Sequence, residues 1–242
     1  MLSRRAALLG GAALTALAED SLPLFDGKSF AGWTLGDGGE VRHSWTIEEG
    51  AIATIAGTRG RSDLLCTTPV QSFELTFEFR LSPGSNTGIK YFVLHALRYL
   101  SPGSVLSGSY GAVGLEFQLA DDQATEVALP EQKLGSLYGL LPAQAAPEYR
   151  LGDWAAGKLV CSAEGCEHWI NGKRVLAFQP SSPEMKRKLT EAAVNPKHSI
   201  VGAAAAMVAA RRRDGAMPTT LIALQQHDSK AWFRSLRLRK LA

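Results

Sequence analysis

FELTFEFRLSPGSNTGIKYFV, residues 73–93, reads as one strand, a turn and a second strand. In the first run Phe73, Leu75, Phe77, Phe79 and Leu81 alternate with Glu74, Thr76, Glu78 and Arg80. Strict alternation is the mark of a strand with one face in a core and the other toward water. The cluster SPGSN supplies the turn residues. In the second run Ile89, Tyr91 and Val93 alternate with Lys90, Phe92 and Leu94. Downstream, in VGLEFQLAD (113–121), Leu115, Phe117 and Leu119 alternate with Glu116 and Gln118. Glu116 and Gln118 therefore share a face, and the apolar residues share the other. A cation and a carboxylate interrupt two otherwise apolar strands, leaving one face of each free for chemistry.

The same period recurs in SWTIEEGAIATI (44–55), GKLVCS (157–162), CEHWINGKRVLAF (166–178), TTLIALQQH (219–227) and AWFRSLRLRKL (231–241). Gly, Pro, Asn and Ser clusters separate these runs at short intervals. That spacing predicts an all-β fold, a two-sheet antiparallel jelly-roll sandwich, rather than alternating strands and helices. The exceptions lie within residues 182–214. Ser182, Pro183 and Glu184 have the order of a cap, a first-turn proline and an N-terminal acid, which predicts a helix running to about Val194. An Ala-rich segment from Ile200 to Ala210 reads as a second helix or a loop, with Arg211, Arg212 and Arg213 at its C-terminal end. No repeat or long polar linker divides the chain, so one domain is expected over residues 19–242.

The opening residues, MLSRRAALLGGAALTALAED, combine Arg4 and Arg5 with a weakly apolar run and the small residues Ala16 and Ala18. They predict a twin-arginine-like export signal over residues 1–18, hence a periplasmic or extracellular protein with no membrane span once mature. Setting Arg4 and Arg5 aside brings the 26 basic residues close to the 23 acidic ones. The chain then has no basic footprint for nucleic acid beyond Arg211, Arg212 and Arg213. The three cysteines allow one bridge at most; Cys161 and Cys166 face each other across an expected hairpin, as a disulfide or as two small core residues.

Seven strings, in order and spacing, resemble the 3-keto-disaccharide hydrolase or 3-keto-glucoside 1,2-lyase-hydratase family. They are LFDGKSFAGW (24–33), SWTIEEGAI (44–52), residues 73–93, GLEFQLADD (114–122), LYGLLPA (137–143), EHWINGKRV (167–175) and LIALQQHDSKAWFRSLRLRKL (221–241). The resemblance implies a jelly roll of the concanavalin A-like lectin and glucanase type and a carbohydrate substrate, a 3-keto-glucoside. Where the family usually reads LQDHGDEVWFRN this chain has LQQHDSKAWFRS, which puts Gln226 and Asp228 in place of Asp and Gly.

Ordinary glycoside hydrolysis needs two carboxyl groups facing one bond. The same-face neighbour of Glu116 is the amide Gln118, although Asp121 and Asp122 lie at the strand end. A 3-keto sugar needs a base at C2, a cation or donor at the enolate oxygen and an acid for the departing oxygen. Lys90 is expected to clamp the carbonyl or enolate. Glu116 or His227 is the base and the other the acid, in either order. Asn86, Gln118, Asp121, Tyr138, His168 and Gln226 are the expected hydroxyl binders. The reading requires no cofactor; a divalent metal on Glu116, Asp121 and His227 is the alternative clamp. The competing class is a non-catalytic, lectin-like carbohydrate-binding module.

Overall fold

The computed structural model describes residues 20–36, 38–57, 62–94, 98–100, 110–194 and 219–241. The expected export signal, the second helix and Arg211 to Arg213 fall outside them. Among these residues fifteen strands follow in chain order: β1 (Leu22–Pro23), β2 (Trp33–Leu35), β3 (Trp45–Glu48), β4 (Ala51–Thr54), β5 (Leu64–Cys66), β6 (Phe73–Leu81), β7 (Asn86–Val93) and β8 (Arg98–Leu100). Then come β9 (Tyr110–Ala112), β10 (Leu115–Ala120), β11 (Ala155–Cys161), β12 (Cys166–Ile170), β13 (Lys173–Phe178), β14 (Leu221–Leu224) and β15 (Ala231–Lys240), with a helix, α1 (Pro183–Val194), between β13 and β14.

Two antiparallel sheets face each other. The larger runs β13, β12, β11, β6, β15, β4, β3, with β1 also pairing β15, and the smaller runs β10, β7, β14, β5, β2. The SPGSN turn joins β6 in one sheet to β7 in the other, so adjacent strands in sequence build opposite layers. Phe73, Leu75, Phe77, Phe79 and Leu81 point into the core, as their alternation requires, and meet Ile89, Tyr91, Leu115, Phe117, Leu119, Ile222 and Leu224 from the smaller sheet. The rings of Phe77 and Phe117 join the layers edge to face, 6.0 Å apart. On the far side of the larger sheet Arg80 sits over Trp154 and Trp232, at 4.9 and 4.3 Å from the ring centres.

β7 departs from simple alternation at one point. Phe92 takes a positive φ of 56°, and the pairing with β14 slips there by one residue. This is a bulge, which re-aims every following side chain. Phe92 consequently joins Tyr91 in the core, and Val93 turns outward to pack with Leu65, Ala112, Leu221 and Ala223. β15 has a similar break at Ser235, φ 53°. Helix α1 starts as its sequence requires, the Ser182 hydroxyl accepting from the Met185 N–H at 3.2 Å. Cys161 and Cys166 are directly opposed across β11 and β12, buried and unbridged.

His168 is a core residue, which corrects its expected role as a hydroxyl binder. It is fully buried and stacks on Phe117 with 4.0 Å between ring centres. Gly135 O can only accept, so Nδ1 carries the proton toward it at 3.1 Å and Nε2 accepts from the Tyr91 hydroxyl at 3.0 Å. Burial pushes its pKa down to about 3 against two backbone contacts that favour the charged ring. The unfolded chain therefore binds a proton that the folded one refuses. Stability contributed by the neutral ring is complete above about pH 6.5 and falls by up to about 1.4 kcal/mol per unit toward the folded value. In urea unfolding, His168→Gln should cost about 1–3 kcal/mol at pH 7. That gap should narrow as pH falls from 6.5 to 4, whereas a constant gap would mean that the folded ring is charged.

Candidate active site

The candidate site lies on the outer face of the smaller sheet. Because Ile89, Leu115, Phe117, Ile222 and Leu224 face the core, Lys90, Glu116, Gln118, Ala223 and Gln225 face away. Register places Glu116 directly opposite Lys90 and Lys90 opposite Ala223. Gln118 is opposite Gly88, and the Gly88 carbonyl accepts from the Gln225 N–H. Gly88 is where a side chain would interfere: a Cβ there would lie 2.5 Å from Glu116 Oε1. The carboxylate thus folds over the bare backbone of the neighbouring strand.

Asp63, just ahead of β5, completes the ion pair. Its Oδ2 is 2.7 Å from Lys90 Nζ and accepts the Ala112 N–H at 2.7 Å, while Oδ1 accepts the Gln226 N–H at 2.9 Å. The Lys90 side chain is 12% exposed and that of Asp63 3%. Burial opposes the ammonium, but Asp63 and then Glu116 outweigh it and raise the Lys90 pKa. Glu116 is pushed up to about 7, by burial first, with Lys90 pulling down and Asp63 pushing up. A carboxyl group that titrates near neutrality beside a persistent cation is equipped for proton transfer.

Around this pair, Gln225 Nε2 donates to Glu116 Oε2 at 3.1 Å and Gln118 Nε2 to Asn86 Oδ1 at 3.0 Å. The backbone N–H of Tyr138 donates to the Glu116 carbonyl at 3.0 Å, which fixes the segment after β10 beside the site. Burial and then the Glu116 charge raise the Tyr138 pKa, so its hydroxyl stays a donor. Lys90, Tyr138 and Gln225 keep partial solvent access, whereas Glu116, Gln118 and Asn86 are buried. The His227 side chain is 39% exposed, with Nδ1 3.5 Å from Glu126 Oε1.

A sequence profile of the 3-keto-alpha-glucoside-1,2-lyase-like domain matches residues 20–239, and every residue of the Lys90 and Glu116 cluster lies inside that span. The chain belongs to this family. A 3-keto-disaccharide hydrolase of Bacteroides thetaiotaomicron is 26% identical, over 99% of this chain and 84% of the relative. Two crystal structures of proposed glycosyl hydrolases from Parabacteroides distasonis share the fold. One has a TM-score of 0.69 at 21% identity, covering 100% of this chain and 99% of the other. The second has 0.60 at 20% identity, covering 91% and 99%.

In this member of the 3-keto-alpha-glucoside-1,2-lyase-like family the two expected hydroxyl binders at the chain's turns have other work. Asp121 accepts from the backbone N–H groups of Gly84 and Gln123 through its two oxygens, at 2.9 and 3.0 Å. Gln226 spans a loop, its amide donating to the Ile55 carbonyl at 2.8 Å and accepting from the Asp228 N–H at 3.0 Å. Asp228 in turn accepts from the Gly57 N–H at 2.6 Å and takes a φ of 58°. The substituted pair thus forms a local clamp that also delivers the Gln226 N–H to Asp63. Glu116, Asp121 and His227 do not converge, and among the described residues no group of three His, Cys, Asp or Glu is placed to hold a metal. Asp63 and Gln225 were not anticipated. For Gln225 the available signal is parity on β14, since Ile222 and Leu224 face inward.

Proposed function

We propose that the protein cleaves 3-keto-glycosides by removing the proton at C2, eliminating the C1 oxygen and adding water back. Family membership and the Bacteroides relative support glycoside-hydrolase-like action on a carbohydrate. The route is carried by one observation: Glu116, buried and with its pKa pushed up to about 7, is directly opposed to Lys90, whose side chain is only 12% exposed. As a carboxylate Glu116 takes the C2 proton, and the C–H electrons move onto the C3 oxygen, where Lys90 meets the developing charge. Collapse of this enolate forms the C1–C2 double bond and expels the aglycone oxygen. His227, paired with Glu126, or the Tyr138 hydroxyl supplies the proton that oxygen needs. Water then adds at C1, and a proton returns to C2 from Glu116. Electrostatic clamping of this kind typically contributes a hundred- to a thousand-fold in rate.

The defining test offers the purified protein a 3-keto-glucoside and its unoxidised parent. Aglycone release from the keto sugar alone is expected; equal release from both would contradict the elimination route. Gly88→Ala probes the base independently. The added methyl pushes the Glu116 carboxyl off its place, so turnover of the keto sugar should fall at least about ten-fold while the melting temperature shifts by only a few degrees. The expected export signal belongs to the same reading, and an intact-mass measurement of the exported protein should place its N-terminus near Glu19.

A further inference from the structure

Three of the five buried side-chain polar atoms without a hydrogen-bond partner among the described residues are on this one face: Glu116 Oε1, Gln118 Oε1 and Gln225 Oε1. All three are acceptors, and their residues neighbour Gly88: Gln118 is its register partner, the Gln225 N–H donates to its carbonyl, and the Glu116 carboxyl occupies the space a side chain there would need. Leaving one such oxygen undonated costs about 1–3 kcal/mol. The amide nitrogens are already committed, that of Gln118 to Asn86 and that of Gln225 to Glu116. Turning the Gln225 amide would set its oxygen against the Glu116 carboxylate, so the oxygen is the atom left without a donor. What fits is a ligand that brings hydrogens. A hard cation is disfavoured, because the nearest fixed charge beside Glu116 is the Lys90 ammonium, which Glu116 helps keep protonated.

We propose that Gln118 and Gln225 form a hydroxyl-recognition subsite beside Glu116, selecting sugars that carry free hydroxyls on the carbons flanking the ketone. The inference rests on the sugar reading of the site and specifies how that sugar is chosen. With Glu116 at the C2 hydrogen and Lys90 at the C3 oxygen, the hydroxyls nearest the two amide oxygens are those on C2 and C4. A site built to accept from a hydroxyl rejects the deoxy analogue strongly, because the buried acceptor is left unpaired.

The test uses carbon-linked 3-keto-glucosides, whose aglycone cannot leave, in calorimetric titrations of the full-length protein. Wild type should bind the parent about 10- to 100-fold more tightly than its 2-deoxy or 4-deoxy analogue. Gln225→Met and Gln118→Met should each weaken binding of the parent and nearly abolish discrimination against one of the two analogues. Two variants of side-chain length close to the original guard against one failing to fold. Equal weakening of parent and analogue, unchanged affinities, or no binding of any of these sugars by wild type would overturn the subsite. Turnover of the oxygen-linked substrate is measured separately, so binding and discrimination without cleavage would remove the proposed reaction and leave the subsite standing.

Discussion

Glu116→Gln should reduce release of aglycone from a 3-keto-glucoside by about a hundred- to ten-thousand-fold, the range a positioned base contributes. The variant keeps the size of the side chain and an oxygen that can accept from Gln225 Nε2, now at 3.1 Å from the carboxylate. In the wild type, the rate at limiting substrate should rise with pH through about 7 as Glu116 ionises, because only the carboxylate can take the C2 proton. Stability runs the other way. A folded pKa of about 7, above the ordinary 4.5, means that the folded state holds a proton the unfolded state has released. Wild type is therefore expected to lose stability as pH rises from about 4.5 through 7, and Glu116→Gln to gain on it over that interval. This slope opposes that of His168, so each appears cleanly only as a difference between wild type and its own variant. A rate profile without an inflection near 7, or a Glu116→Gln enzyme at wild-type speed, would move the base elsewhere.

Lys90→Met should be costly twice. It removes the group that meets the enolate oxygen, with an expected loss of about a hundred- to a thousand-fold in kcat. It also leaves the carboxylate of Asp63, 3% exposed, without its ion partner. Breaking a buried pair from one side typically costs about 3–5 kcal/mol, whereas replacing both partners with neutral residues is often close to neutral. The double variant Lys90→Met, Asp63→Asn separates the two effects. The amide introduced by Asp63→Asn retains an oxygen for one of the backbone N–H groups of Ala112 and Gln226, so the double variant should recover most of the lost stability in urea unfolding and none of the lost rate. Recovery of rate along with stability would make Lys90 a structural residue only.

The sandwich was legible because its strands obey period two where burial is one-sided, most plainly in Phe73 through Leu81, whose pattern is realised residue for residue. Lys90 and Glu116 were legible for the same reason: a charge at an outward position of an apolar strand needs a partner or a cleft. Asp63 was not, since it lies off the end of a three-residue strand and pairs with Lys90 through tertiary approach alone. His168 could be read either as a core histidine of its hairpin or as a hydroxyl binder; its stacking on Phe117 and bonds at both nitrogens fit the core reading. Gln226 drew attention from its place in the family motif, whereas strand parity favours Gln225. The bulge at Phe92 was hidden as well: nothing in the alternation of Tyr91, Phe92 and Val93 signals a positive φ at a bulky residue.

Proton abstraction from C2 by Glu116 is the step on which everything else depends, and it has a direct isotopic readout. A 3-keto-glucoside incubated with the protein in deuterated water should yield a sugar product carrying deuterium at C2, and Glu116→Gln should suppress that incorporation together with aglycone release. Cleavage that leaves the original hydrogen at C2, or incorporation at the same rate in Glu116→Gln, would contradict the account.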